Sequence, residues 1–177
     1  DLAKQFRPPA PILGWPAEVA GGGMRITDAL RGEHGAYCGL FDQVNSLVDE
    51  VEIIAQIQNA TIALNTEIVS HGKLEETLLV PALRPYLEDD RLVTAMRDEH
   101  TRMEQSLEKV EDAQDLQDAV DWIHYCIGFA REHFRKEEEF LFPLADEMLS
   151  EAELARLGHA WAEVRGVSLV PLRTLAP

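Results

Sequence analysis

From Met24 to about residue 164, apolar residues return every three or four positions, the period of a helix with one buried face. The pattern predicts four long helices, over 27–50, 58–87, 90–111 and 115–147, and a shorter fifth over 151–164. Alternating apolar and polar runs, the mark of half-buried strands, are almost absent, so the fold class expected is all-α. Most boundaries are punctuated. Thr27 can cap the first helix through its hydroxyl, Pro85 and "EDD" precede the third, "EDAQD" separates the third from the fourth, and Ser150 with Glu153 forms a capping box for the fifth. The first boundary, within 48–60, has no Gly or Pro to mark it. Before Met24 the texture changes: residues 1–23 hold four prolines and four glycines, too many helix breakers for the helical body. The organisation expected is a tail or strap over 1–24, a four-helix bundle over 25–148 and a C-terminal helical extension over 149–177.

Composition narrows the partners. The 177 residues suit one domain, and 46% apolar content suits a folded one. With 32 acidic against 16 basic side chains the formal net charge is −16, so neither a nucleic-acid backbone nor an anionic membrane surface is an expected partner. Cys38 and Cys126 are far apart and form no CxxC pair, which fits a reducing compartment rather than a disulfide framework. No stretch approaches the roughly 18 uninterrupted apolar residues that span a bilayer, and the first residues lack a secretion-signal pattern. The expectation is a soluble cytoplasmic protein.

The chain also repeats itself. "RGEH" at 31–34 returns as "RDEH" at 97–100, and "HGKLEETLLVPAL" from His71 returns as "HFRKEEEFLFPLA" from His133. In both longer blocks glutamates stand four and five residues after the histidine and a proline ten after it. Two matched blocks in one order predict a duplicated αα-hairpin, and two such hairpins make an up-down-up-down four-helix bundle.

Helical geometry places residues i and i+4 within roughly 40° of each other, so His71 shares a face with Glu75 and His133 with Glu137. Those faces are the apolar ones: Leu64, Ile68 and Leu78 on the second helix, and Cys126, Phe129, Ala130, Phe140 and Leu141 on the fourth. His34 lies on the stripe of Leu30, Tyr37, Cys38 and Phe41, and His100 on that of Val93, Met96, Met103, Glu104 and Leu107. Four inward histidines with three inward carboxylates need a cation, because an unpaired buried carboxylate costs several kcal/mol against a total stability of about 5–15 kcal/mol. Arg31 and Arg97 lie a turn away, which leaves a metal centre. Imidazole and carboxylate suit iron, manganese or zinc, and seven ligands suit two octahedral ions sharing bridging carboxylates. Ferritin-like Glu-x-x-His spacing is absent, since none of the six histidines has a glutamate three residues before it. Glu33, Glu99, Arg31 and Arg97 either orient ligands or form a solvated face, Tyr37 and Tyr125 either donate to a bound ligand or pack, and His124 and His159 stay unassigned.

His34, His71 with Glu75, His100, and His133 with Glu137, together with the trailing "EExxLxP", resemble the hemerythrin-like (HHE cation-binding) family over about residues 25–147. The resemblance implies a four-helix bundle around a non-haem di-iron site, bridged by glutamates and by an oxo or hydroxo group, whose open position meets O₂, peroxide or nitric oxide. The chain departs from the oxygen-carrying hemerythrins in two places. Glu104 stands where they have a histidine, and their carboxylate five residues after the helix-four histidine would be Glu138, whereas the repeat favours Glu137. An added carboxylate stabilises the ferric state, which tilts the expectation from oxygen carrier to oxidase, peroxidase-like or catalase-like chemistry. The alternative is an O₂-, iron- or redox-sensing or iron-handling module without turnover, and a protein partner belongs to the sensor reading.

Overall fold

The computed structural model describes residues 23–48 and 50–169. Among these there is no strand, and the chain folds into five helices. Helix α1 is Ile26–Val48. Helix α2 runs over 54–83, as an α-helical body Ile54–Leu74, a π-helical turn Glu75–Leu79 and a last turn Val80–Leu83. Helix α3 is Arg91–Asp112. Helix α4 runs over 116–148, as Leu116–Lys136, a π-helical turn Glu137–Leu141 and Phe142–Met148. Helix α5 is Glu151–Arg165. Helix α1 packs on α2, α2 on α3, α3 on α4, and α4 closes on α1, while α5 lies against α1 and the π turn of α2. The strap expected over the first residues lies outside the described residues up to 22.

Two of the helices, α4 and α5, begin with a side-chain cap. Asp115 accepts from the Asp118 N–H at 2.9 Å, and Ser150 with Glu153 forms the capping box. Thr27 does not cap: α1 begins one residue earlier, and the buried Thr27 hydroxyl donates to Asp146 Oδ1 at 2.7 Å, tying α1 to the end of α4. Helix α2 starts at Ile54 with no side-chain cap, earlier than the expected residue 58.

The paired π turns explain a second difference. Pro81 and Pro143 each lack an N–H, and their rings crowd the carbonyl four residues back. In each helix the chain widens just before the proline: Val80 N–H reaches the Glu75 carbonyl and Phe142 N–H the Glu137 carbonyl, each five residues back. The extra residue rotates the last turns of both helices. Leu79 and Leu141 become buried, Leu78 is left half-exposed, and Phe140, expected on the core stripe, is 65% exposed.

The interior has two apolar parts. One gathers Tyr37, Phe41, Leu64, Ile68, Met103, Leu107, Ile123 and Phe134. The other gathers Ile26, Leu30, Leu79, Met96, Leu141, Phe142, Leu154 and Leu157. The stripes that feed them pass through the four expected histidines and through Glu75 and Glu137, so a polar layer divides the core.

Helix α5 sits so close to the chain entering α1 that a Cβ on Gly158 would lie 1.9 Å from the Met24 carbonyl oxygen. Gly→Ala inside a helix normally stabilises by up to about 1 kcal/mol. Here the sign reverses: Gly158→Ala is expected to lower stability by about 1–3 kcal/mol through overpacking, read as a lower urea midpoint. An unchanged or raised midpoint would contradict this packing.

Candidate metal centre

Each histidine of the layer is set by a glutamate on another helix. His71 Nδ1 donates to Glu33 Oε2 at 2.7 Å and His133 Nδ1 to Glu99 Oε2 at 2.7 Å, within each half of the repeat. His34 Nδ1 donates to Glu138 Oε1 at 2.9 Å and His100 Nδ1 to Glu76 Oε1 at 3.1 Å, across the halves. An ionised carboxylate only accepts, so each of the four rings keeps a proton on Nδ1 and turns its Nε2 inward.

They converge in two pairs. His34 Nε2 and His71 Nε2 are 3.0 Å apart, as are His100 Nε2 and His133 Nε2. Between the pairs lie Glu75, 0% exposed, and Glu137, 2% exposed. Each carboxylate gives one oxygen to each pair. Glu75 lies 3.4 Å from His71 Nε2 through Oε1 and 3.2 Å from His100 Nε2 through Oε2; Glu137 lies 2.9 Å from His133 Nε2 and 3.2 Å from His34 Nε2. The ligand atoms of His34, His71, Glu75 and Glu137 all lie within 4.8 Å of one another, and so do those of Glu75, His100, His133 and Glu137.

This donor set fits a cation. No donor satisfies any of the four oxygens of Glu75 and Glu137 in hydrogen-bond geometry, although all are buried. Two imidazole lone pairs 3.0 Å apart repel unless something electrophilic lies between them. An ion about 2.1 Å from both nitrogens would see them at about 90°, the angle between adjacent octahedral positions.

Protons answer the same need in the absence of a cation. Burial lowers the pKa of His71, but the Glu75 charge and the hydrogen bond with Glu33 outweigh it and raise the value to about 10. Burial likewise opposes, and Glu137 outweighs, at His133, which rises to about 9. Burial raises Glu75 and Glu33, yet His71 and His100 hold Glu75 well below the usual carboxylate range, and His71 with Arg165 brings Glu33 down to about 2.

Apolar walls enclose the His34 side. The His34 ring stacks on Phe134 at 4.0 Å between centroids and on Phe142 at 5.3 Å. On the other side a cleft of about 400 Å³ between α3 and α4 reaches His133 and Glu137 past Leu92, Ala95, Met96, Phe140 and Leu141. Gly72, next to His71, makes room for His100: a Cβ there would lie 3.0 Å from His100 Nδ1.

Six of the expected ligand residues, His34, His71, Glu75, His100, His133 and Glu137, thus come together. Glu104 does not join them. It lies half-buried one turn beyond His100, where Met103 takes the inward position within the apolar core. Glu138, weighed against Glu137, stands outside the cluster and holds His34 instead. Glu33 and Glu99 orient histidines, and Arg97 lies 3.7 Å from Glu76, while Arg31 pairs with Asp146 away from the centre. The Tyr37 hydroxyl donates to Glu67 while its ring packs edge-on against His71 at 5.5 Å between centroids, and Tyr125 is exposed on α4, so neither hydroxyl donates into the cluster. Cys126 is a buried packing residue whose thiol is pushed up to about 12 by burial. Sequence reasoning left out Gly72, Trp161 and Arg165. Trp161 and Arg165 donate to Glu33 from α5, outside the repeat, and Gly72 is matched in the second half by a different residue, Phe134.

Gly72→Ala should displace His100, whose two ring nitrogens are both engaged, and lower the metal content of the purified protein; full metal content in that variant would contradict the packing. The raised His71 and His133 values mean that metal-free stability from these groups is complete below pH 6.5 and lost as pH rises through about 9 to 10. The depressed Glu33 contributes above pH 4.5 and loses its contribution as pH falls toward about 2. Thermal melting of metal-free protein should therefore peak between these limits and fall toward pH 10, whereas a metal-loaded sample, with neutral imidazoles, should hold its melting temperature over the alkaline part of that range. Parallel curves would contradict the assignment.

A family model described as the hemerythrin HHE cation-binding domain matches residues 25–145, and matches again over residues 91–168. Comparison with curated proteins and with solved structures gave no match. All six clustered residues fall within the first match, and the convergence of four imidazoles and two donorless carboxylates is what a cation-binding domain requires. The chain belongs to the hemerythrin HHE cation-binding domain family.

Proposed function

We propose that the protein is a di-iron protein whose centre reacts with O₂, peroxide or nitric oxide. The observation that carries this reading is the sharing of Glu75 and Glu137 by both histidine pairs, one carboxylate oxygen to each. His34 and His71 would hold one ion, His100 and His133 the other, with both glutamates bridging. Manganese or zinc would fit the same donors. The metal-binding unit is residues 25–148, an up-down-up-down bundle of two duplicated hairpins, with α5 as an extension. The repeat supports this, as does the second family match, which begins at Arg91, the first residue of α3. Cysteines without disulfide partners suit a cytoplasmic setting, and among the described residues no helix is long and apolar enough to cross a membrane.

Bound iron would supply one-electron redox chemistry and a position for a small ligand. The chain's residues do the rest. Four glutamates on Nδ1 fix the tautomers and make the imidazoles more basic, which favours the more highly charged metal state. That role, expected of Glu104 at the centre, passes to Glu33, Glu76, Glu99 and Glu138. Cation binding displaces the protons otherwise held on His71 and His133, and Glu99 and Glu138, both reaching solvent, offer them a way out. Phe134 and Phe142 keep water from the His34 side.

Protein made in iron-replete cells should carry about two irons per chain with near-ultraviolet charge-transfer absorption. His71→Ala should lower that content, and iron near zero in both proteins would sink the reading. Rapid mixing of the reduced protein with O₂, peroxide or nitric oxide then identifies the reactant. Repeated turnover makes it an enzyme; one stoichiometric spectral change with altered protease sensitivity makes it a sensor. The sensor reading is favoured by one feature, the bonds from α5 to Glu33. Ready loss of iron to a mild chelator would point to iron handling.

A further inference from the structure

Tyr37 lies against the histidine layer and has no part in ligating a cation. Its ring meets that of His71 edge-on and lies 6.3 Å from that of Phe134, and the residue is 7% exposed within the apolar core. The hydroxyl turns away from the histidines. It donates to Glu67 Oε2 at 3.2 Å and accepts from Arg165 Nη2 at 3.2 Å. Glu67 is half-buried, so its carboxylate joins a buried phenol to solvent.

Packing alone does not call for this arrangement. The repeat aligns His34 with His100 and His71 with His133, which sets Met103 opposite Tyr37 and Phe129 opposite Glu67. Met103 fills its place in the core with no hydroxyl to satisfy. The chemistry that a phenol adds is the loss of one electron. A phenol is neutral at physiological pH, and taking an electron alone would leave a cation in the apolar core beside the Arg165 guanidinium. Taking the proton as well leaves a neutral radical, and Glu67 stands where that proton goes. Trp161 lacks such an exit, because its N–H donates to Glu33, which already accepts from Arg165 and His71.

We propose that Tyr37 is a redox-active residue: once peroxide has oxidised the bound iron, Tyr37 passes one electron to the centre past His71 and its hydroxyl proton to Glu67, and an external one-electron donor of the ascorbate or hydroquinone class restores it. The proposal rests on the di-iron reading and adds a substrate class to it, one-electron reductants consumed alongside peroxide. The donor returns the electron to Tyr37 and Glu67 returns the proton. Two such cycles supply the two electrons that, with two protons from the donors or solvent, turn one peroxide into two waters, and each cycle oxidises one donor by one electron.

The iron-loaded full chain, mixed with hydrogen peroxide and frozen within seconds, should show an organic radical by electron paramagnetic resonance that metal-free protein does not show. Ring-deuterated tyrosine should narrow the signal. Tyr37→Phe, which keeps the ring against His71 and should carry wild-type iron, should remove it, and Tyr125→Phe, at an exposed position, should leave it in place. Glu67→Gln, which removes the proton acceptor, should slow its appearance by about 100-fold. Ascorbate should discharge the radical and speed peroxide consumption in the wild-type chain but not in Tyr37→Phe.

A radical that survives in Tyr37→Phe, or that deuterated tyrosine leaves unchanged, overturns the inference. So does a radical that forms in Glu67→Gln at the wild-type rate, or an ascorbate effect equal in wild type and Tyr37→Phe. Iron present without any radical overturns it as well and leaves the di-iron reading standing. A wild-type chain that carries no iron overturns that reading and this inference with it, which separates the two failures.

Discussion

Two carboxylates, Glu75 and Glu137, are buried between two apolar cores with no hydrogen-bond donor in place for any of their four oxygens. Left ionised and alone, each would cost several kcal/mol, a large share of the stability of a domain this size. Positive charge must therefore enter the layer, and the geometry admits it in two forms. Protons on His71 and His133 serve in the metal-free chain, and a bound cation would serve in the loaded one. Folding, proton release and metal binding are then one linked equilibrium. The same constraint explains the ring of outer glutamates, since an imidazole that must present a bare Nε2 needs its Nδ1 proton accepted elsewhere.

The helices are shaped to this layer. A regular α-helix would carry the core stripe straight past Glu75 and Glu137, but the prolines six residues beyond each glutamate leave no donor for the next regular bond. The chain widens into a π turn that begins at Glu75 in one helix and at Glu137 in the other. One inserted residue separates two registers. The histidine and its i+4 glutamate belong to the first register, and the leucines at 79 and 141 that seal the second core belong to the second.

Helical periodicity and the repeat made the all-α class, the five helices and the buried cluster of six of the seven expected residues legible, because burial of His71 and Glu75 on one stripe is a statement about angle alone. Features that depend on departures from regular angle were not legible. Phe140 and Leu78 were misplaced because periodicity carries no π turn, although the repeated prolines marked where one would fall. Glu104 satisfied the i+4 rule after His100, yet Met103 took the inward position and left Glu104 on the flank. The outer glutamates were half-visible: Glu33 and Glu99 sit in a repeated "R-x-E-H", and Glu76 and Glu138 repeat as the second of each pair, but a helix surface gives no sign of which neighbouring histidine a carboxylate will meet. Arg165 and Trp161 belong to α5, outside the repeat, so no symmetry pointed to them.

Diffraction from crystals of the iron-loaded protein, with anomalous differences measured at the iron edge, tests the central claim most directly. The account predicts two iron peaks, one between His34 and His71 and one between His100 and His133, with Glu75 and Glu137 each reaching both and Glu104 reaching neither. A single peak, or two peaks that leave Glu75 or Glu137 without a metal contact, would contradict it.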